Sequence, residues 1–167
     1  MKILGFDLGD GESAVTLLDE DSTVEPRVMP LCGKNSLISA VGVKDGRIVI
    51  GEAASVTDGA AEAKVRFKSR YLTDPAASAD VRAFAQGVMN ELVRTQPALM
   101  AEVSRTVVGC PAGWGDGRRE QYAALLESAG FPNVSVVPEP RAAFLYARHA
   151  RGLRVSPELM KKSAMVI

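Results

Sequence analysis

The residues best suited to chemistry lie near the start of the chain, where Asp7 precedes the turn Gly9-Asp10-Gly11. Glycine permits positive φ and lets backbone N–H groups approach a ligand, and successive N–H groups in such a turn bind anions. A carboxylate beside a bound phosphate fits a bridging Mg²⁺ ion, which prefers oxygen ligands. The pattern therefore predicts a phosphate-binding turn with a metal beside Asp7, although a plain hairpin with a polar turn fits the same residues.

The elements around this turn are predicted from the spacing of apolar residues. Alternation on both sides of the turn predicts a β-hairpin with strands at 2–8 and 13–19. Pro26 and Pro30 place a third strand, 24–31, at a sheet edge. The following segments are predicted as a second hairpin around Asp45-Gly46 (37–43 and 47–50), a short helix (52–56) and a helical or irregular basic arm (60–71).

The second half of the chain alternates helices and strands. Apolar residues spaced by three and four predict a helix over 78–95, which Pro97 ends. Asp116 is predicted to cap the next helix, which runs to Ser128 before Gly130. The remaining predicted elements are strands at 105–109 and 134–137 and a helix at 141–149. Together these patterns predict an α/β fold whose mixed sheet has the opening hairpin at its centre.

Composition excludes several function classes. The formal net charge is zero, so nothing indicates a nucleic acid or an anionic membrane as partner. No apolar run approaches the roughly 20 residues of a membrane-spanning helix, and the start does not read as a signal peptide. Two cysteines are too few for a disulfide framework, so reduced thiols and a cytoplasmic location are expected. His149, the single histidine, is expected to be solvated.

The end of the chain suggests that more protein follows. Residues 151–162 form a basic connector, and the apolar run 164–167 after it has the character of a strand that has just begun. A buried strand is normally followed by a turn and further structure. We therefore expect the sequence to be the first part of a longer protein.

Short strings along the whole chain occur in an order that points to a family. They are GFDLG at 5–9 with Ser13, GEAA at 51–54, FKSRYL at 67–72, CPA at 110–112 with Arg119, AGF at 129–131 and VPEPRAA at 137–143. In this order they resemble the heat shock protein 70 family of chaperones, within the actin-like ATPase superfamily. The resemblance implies a ribonuclease-H-like first lobe over 1–167, with a small inserted subdomain at about 33–72. It also implies that the second lobe and the peptide-binding domain lie outside this sequence.

The resemblance also implies roles for individual residues. Asp7 would hold the magnesium hydration shell, and Lys68 would reach the γ-phosphate and the attacking water as a catalytic residue. Glu139 would be a second catalytic residue that contacts metal-bound water, and Pro111 and Arg119 would relay the nucleotide state. The nucleotide-binding residues would be those of the turn, namely Gly9, Asp10, Gly11, Glu12 and Ser13. The local residue pattern alone indicates that Lys68 is a solvated surface lysine and that Glu139 is a carboxylate favoured at a helix N-terminus.

The implied ligands are ATP or ADP with Mg²⁺, and the implied partners of the full-length protein are unfolded peptide clients and co-chaperones. The sequence departs from the family at Asp10 and Gly11, where the family usually has two threonines. If the carboxylate of Asp10 faced a γ-phosphate at about 4 Å, repulsion would cost roughly 1 to 4 kcal/mol. This departure puts ATP hydrolysis by the parent in question, and we expect residues 1–167 alone to be inactive.

Two other functions remain open on the same residues. An actin-like filament or segregation protein shares the turn and the fold, although the Lys68 arm and the start of the last helix favour the chaperone family. A degenerate nucleotide-binding regulator without ATPase activity is favoured by Asp10. A sugar kinase or a reactivating factor is less favoured, because it leaves the Lys68 arm without a reason. A second glycine-rich loop after Ile167 would identify the superfamily.

Overall fold

Nine strands and six helices make up the part of the chain that the structure describes. The computed structural model describes residues 1–20, 25–55, 63–71, 73–74 and 77–149, with the backbone alone at 148 and 149. The strands are β1 (Lys2–Leu8), β2 (Glu12–Asp19), β3 (Arg27–Met29), β4 (Leu37–Ile38), β5 (Ala40–Lys44), β6 (Arg47–Ile50), β7 (Lys64–Val65), β8 (Val103–Cys110) and β9 (Val134–Pro138). The helices are α1 (Glu52–Ser55), α2 (Phe67–Tyr71), α3 (Ala77–Thr95), α4 (Pro97–Met100), α5 (Asp116–Ser128) and α6 (Glu139–His149).

The main sheet is mixed and has the order β3-β2-β1-β8-β9, with β4 pairing to the end of β2. The opening hairpin is antiparallel, with Leu8 opposite Ser13. Strands β8 and β9 run parallel to β1, so the carboxyl ends of all three meet at one edge. The predicted mixed sheet with β1 at its centre and flanking helices is confirmed.

One face of this sheet is covered by helices α3 and α5. Strand β1 alternates, so Leu4, Phe6 and Leu8 are buried on this face. Phe6 stacks on Phe131, which follows α5, with ring centroids 5.0 Å apart. The buried residues of α3 lie in the same core and include Val81, Phe84, Ala85, Val88 and Leu92. The apolar periodicity that predicts a helix over 78–95 is therefore confirmed, and it places the core.

A second, three-stranded sheet has the order β6-β5-β7. The Asp-Gly turn predicted between β5 and β6 is confirmed, since Asp45 and Gly46 both take positive φ. Helix α3 packs closely on β6 at Gly87, where an added Cβ atom would overlap Ile50. This sheet lies within the range predicted as an inserted subdomain, whose bounds remain a prediction.

Several local predictions are wrong in an informative way. The strand predicted at 37–43 is two strands, which separate at Ser39 because β4 pairs with β2 of the main sheet and β5 pairs with β6 and β7 of a second sheet. Asp116 does not cap α5: Gly115 is the N-cap residue, and the carboxylate of Asp116 instead accepts a hydrogen bond from Arg119. The last helix begins at Glu139 rather than at residue 141.

Other predictions lie partly or wholly outside the described residues. The edge strand predicted at 24–31 is described at Arg27–Met29, and the arm predicted at 60–71 is described from residue 63 as β7 and α2. The connector at 151–162, the run at 164–167 and the side chain of His149 lie outside the described residues. Both cysteines are free thiols. None of the helices within the described ranges is long and apolar enough to cross a membrane.

Candidate functional site

The three parallel strands bring the sequence-predicted carboxylates to one edge of the sheet. Asp7 lies near the end of β1, and Glu139 directly follows β9. Open sheets bind ligands in the crevice outside the carboxyl ends of their parallel strands. Here Asp7 and Glu139 line one groove of about 650 Å³, whose floor is made by small residues of β1, β2, β8 and β9. The floor residues include Gly5, Ala14, Val107, Gly109 and Val137.

The turn that follows β1 is closed by its own backbone. The Gly9 N–H donates to the Glu12 carbonyl oxygen at 3.2 Å, so Asp10 and Gly11 form the tip. A Cβ atom at Gly9 would overlap that carbonyl oxygen, whereas a Cβ at Gly11 would meet open space. Neither glycine takes positive φ, although the sequence analysis allowed it. Gly9 is therefore required by close backbone approach and not by a left-handed conformation.

The polar side chains of the turn bind other parts of the protein. Ser13 is buried, and its hydroxyl pairs with the Ser39 hydroxyl at 2.8 Å. Glu12 accepts a hydrogen bond from the Ser36 hydroxyl at 2.9 Å. The described contacts therefore direct both side chains to the segment around β4, so the backbone of the turn is its main candidate for contacting a ligand.

Lys68 is buried beside Glu139. Only 6% of Lys68 is exposed, and its Nζ donates to Glu139 Oε1 at 2.6 Å. The neighbouring cations Lys64, Arg66 and Arg70 are exposed. Interpreting the whole basic cluster as a solvated face is therefore wrong for Lys68. A buried ammonium requires a partner, and Glu139 supplies the charge.

Glu139 sits over a glycine of the neighbouring strand. A Cβ atom at Gly109 would lie 2.9 Å from Glu139 Cγ, closer than side chains approach one another. The side chain of Glu139 is 46% exposed, so its carboxylate remains accessible to a ligand while Oε1 accepts the hydrogen bond from Lys68. Gly109 thus makes room for a carboxylate at the edge of the sheet.

Asp10 does not stand free at the tip of the turn. Its Oδ1 accepts a hydrogen bond from the backbone N–H of Ser69 at 2.9 Å. Ser69 directly follows Lys68 in α2, so the structure brings together Asp10, Lys68 and Glu139 from three distant parts of the chain. The sequence offered no signal for this contact, which spans 59 residues.

Pro111 lies directly after β8, and Arg119 lies in α5. Pro111 follows β8, and its carbonyl oxygen accepts the Trp114 N–H at 3.2 Å. Arg119 Nη2 donates to Asp116 at 2.6 Å, while Arg119 Nε is buried with no hydrogen-bond partner among the described residues. Within the described chain no hydrogen bond joins Arg119 to Glu139. The role of Pro111 and Arg119 as a relay of the nucleotide state remains a prediction.

Sequence reasoning missed two residues beneath the site. Tyr122 is fully buried, and its hydroxyl has no hydrogen-bond partner in the described part of the chain. Burial raises the pKa of Tyr122 well above its usual range, and the negative charges of Glu139 and Asp7 raise it further. Burial also raises the pKa of Cys110, against the opposing effect of the nearby cations Arg119 and Lys68. The one available signal was that Tyr122 and Leu126 are four apart on a helix, which marks an inward face.

The donor set fits a magnesium ion held through water. Among the described residues, no three His, Cys, Asp or Glu side chains cluster as direct metal ligands. Mg²⁺ usually keeps several waters and binds one or two carboxylates together with substrate phosphates. The exposed carboxylate of Asp7 and the half-exposed carboxylate of Glu139 on one groove match that chemistry.

The comparison with known proteins gives a distant and partial match. The chain is 27% identical over 154 residues to the chaperone protein DnaK of Thermosipho melanesiensis. The match covers 86% of this chain and 25% of that protein, so the chain spans about a quarter of the length of this curated relative. No protein-family model matches the chain. The match is to a region of a heat shock protein 70 chaperone, which agrees with the resemblance found in the sequence.

Proposed function

We propose that this chain is one wall of an ATP site in a chaperone of the heat shock protein 70 family. Its fold would be the ribonuclease-H-like first lobe, in a cytoplasmic protein whose second lobe closes the site. The observation that carries the proposal is the ion pair between buried Lys68 and half-exposed Glu139, which follows a parallel strand at its carboxyl end, beside a glycine turn. Burial of the ammonium costs desolvation free energy, which contact with a charged ligand in addition to Glu139 would help to offset.

The residues divide the work in a consistent way. Asp7 and Glu139 would hold metal-bound waters, and the Mg²⁺ ion would neutralise the phosphate oxygens. The backbone at the tip of the turn, Asp10 and Gly11, would contact the phosphates, because a concavity of N–H groups favours anions. The Lys68 ammonium would share its hydrogen bonds between Glu139 Oε1 and the transferred phosphoryl group, whose charge it would stabilise. Unfolded peptide clients and co-chaperones would bind parts of the full-length protein beyond this lobe.

A regulator that binds nucleotide without hydrolysing it is the second candidate. The observation that favours it is the lack of outward hydroxyl groups on the turn, since Ser13 is buried on Ser39 and Asp10 and Gly11 carry no hydroxyl. Hydroxyl donors help to position phosphates during transfer, whereas binding can rely on backbone N–H groups alone. ATP turnover by the full-length protein, measured under single-turnover conditions, separates the two candidates.

Titration calorimetry of residues 1–167 with MgATP tests the proposal. One wall of a cleft supplies only part of the contacts, so the expected dissociation constant is about 1 mM or weaker, with no turnover. Adenosine, which has no phosphates, should bind far more weakly, and Asp7→Asn should reduce the Mg²⁺ dependence. Micromolar affinity would contradict the half-site, and equal binding of ATP and adenosine would contradict phosphate recognition.

A further inference from the structure

We propose that Asp10 is a positioning residue that joins the turn Gly9-Asp10-Gly11 to α2, the helix that carries Lys68. This inference rests on the proposed function, and it concerns a residue at which the sequence departs from the family it resembles. The contact that carries it is the hydrogen bond from the Ser69 N–H to Asp10 Oδ1, 2.9 Å long. Asp10 would thereby hold the Lys68 ammonium at Glu139, beside the turn.

The backbone chemistry of α2 explains why this contact matters. The first N–H groups of a helix have no partner within the helix, and Ser69 is the third residue of α2. A carboxylate that accepts such an N–H is usually a side chain at the start of the same helix. Here the carboxylate comes from the turn, so the same bond satisfies the helix and fixes its position relative to the phosphate site.

The approach to α2 shows that the position of this helix is imposed by its contacts. Arg66, the residue before α2, has a φ of 52°, in the left-handed region that costs energy for a residue with a side chain. Such a conformation persists where the surrounding structure determines it. With only five residues, α2 is too short to be stable by itself, so contacts from other elements must hold it.

Three contacts between aromatic rings also hold α2. Phe67 packs on Phe84 of α3, with ring centroids 5.2 Å apart. Tyr71 packs on Trp114 and Tyr122, each with centroids 5.6 Å away. These ring contacts pack the helix against α3, Trp114 and Tyr122, but none of them reaches the turn. Only Asp10 joins α2 to the turn among the described contacts of this helix.

The same geometry changes the meaning of the charge at position 10. A carboxylate aimed at the phosphates would repel them, and its removal by any substitution would tighten nucleotide binding. A carboxylate engaged with the Ser69 N–H is directed at the positive end of α2. Removing only the charge and removing the whole acceptor should then have different consequences, because asparagine keeps an oxygen that can accept the bond.

Amide hydrogen exchange at Ser69 tests the contact without any nucleotide. In the 167-residue chain, Asp10→Ala should speed exchange of the Ser69 amide by about tenfold or more, relative to amides of α3. Asp10→Asn should keep it within about threefold of the unsubstituted protein. Glu12→Ala is the matched control, because Glu12 is a carboxylate of the same turn that binds Ser36, and it should leave Ser69 exchange unchanged. Equal exchange in Asp10→Ala and the unsubstituted protein would overturn the inference.

MgATP affinity of the same variants tests the consequence for the site. The inference predicts that Asp10→Ala weakens binding severalfold and that Asp10→Asn binds as tightly as the unsubstituted chain or more tightly. Equal tightening by both substitutions would show that Asp10 only repels phosphate and would overturn the positioning role. If no variant binds MgATP while the exchange pattern holds, the proposed function fails and the tie between Asp10 and Ser69 stands, so the two failures are distinguishable.

Discussion

The two faces of the main sheet use the same strands for opposite purposes. On the helix-covered face, β1 contributes Leu4, Phe6 and Leu8, all buried in one core. On the groove face the same strand contributes Gly5 and Asp7, beside small residues of β2, β8 and β9. The first face thus supplies stability through large apolar side chains. The groove face carries small side chains, which leave space for carboxylates and a ligand. Substitutions on the first face should therefore affect folding, and those on the second should affect binding.

The largest effect is expected from truncating the core face. Phe6→Ala removes a fully packed ring that stacks on Phe131, and it should lower the free energy of unfolding by about 3 to 5 kcal/mol. Urea denaturation followed by circular dichroism measures this change.

Two adjacent valines of β8 allow the stability cost of the same substitution to be compared on the two faces. Val108 is fully buried on the core face, whereas Val107 lines the groove. Val108→Ala should cost about 2 kcal/mol, and Val107→Ala less than about 1 kcal/mol. Equal costs would show that the groove face is as tightly packed as the core and would contradict the comparison.

An intermediate effect is expected from the Lys68–Glu139 pair. Glu139→Gln leaves the buried ammonium of Lys68 without a counter-charge and should cost about 1 to 3 kcal/mol, reduced by the exposure of Glu139. Lys68→Met replaces the ammonium with an apolar side chain of similar length and leaves a half-exposed carboxylate that water can solvate. We expect it to cost less than about 1 kcal/mol in urea denaturation. A larger cost for Lys68→Met than for Glu139→Gln would reverse the assignment of the buried partner.

The smallest effect at neutral pH is expected from Tyr122→Phe. Its buried hydroxyl has no partner among the described residues, so its removal should change stability by less than about 1 kcal/mol or raise it. Above pH about 10, the unfolded phenol loses its proton while burial keeps the native phenol protonated. The unfolded state then binds fewer protons, and the stability of the unsubstituted protein falls as pH rises.

Denaturation at pH 8 and pH 11 measures this difference. The gap in stability between Tyr122→Phe and the unsubstituted protein should grow by about 1.4 kcal/mol per pH unit above the unfolded pKa. The pKa of Tyr71 is also raised by burial, and Tyr71 titrates in both proteins, so the change in the gap reports the loss of the Tyr122 hydroxyl and of its contact with Tyr71. A gap that does not change with pH would mean that Tyr122 is not held neutral beneath the site.

The sequence predicted the parts of the fold that depend on local patterns. Alternation around Asp7 predicts the hairpin, and spacing of three and four predicts α3, because burial of one face requires those periods. The division of residues 37–43 into β4 and β5 was missed, since it depends on β4 pairing with β2 while β5 pairs with β6 and β7. The pairing of β4 with β2 joins distant segments, and no local pattern encodes it.

The candidate site was predictable only where a local signal or the resemblance marked a residue. Asp7 and the turn were found from their own residue types, and Lys68 and Glu139 from the resemblance. The burial of Lys68 could not be predicted, because in the sequence it alternates with three other cations that turn out to be exposed. The contact between Asp10 and Ser69 was equally hidden, since it depends on the position of α2 relative to a turn 59 residues away in the sequence.

Mapping MgATP onto residues 1–167 by amide chemical shifts tests the phosphate site most directly. We expect the largest shift changes, at nucleotide concentrations up to about 10 mM, on the turn 9–11 and on Ser69 and Glu139. The amides of α3 on the opposite face should stay unchanged, and adenosine should leave the turn unaffected. Changes confined to the helix-covered face, or none at the turn while ATP binds elsewhere, would contradict the assignment of the groove face as a phosphate site.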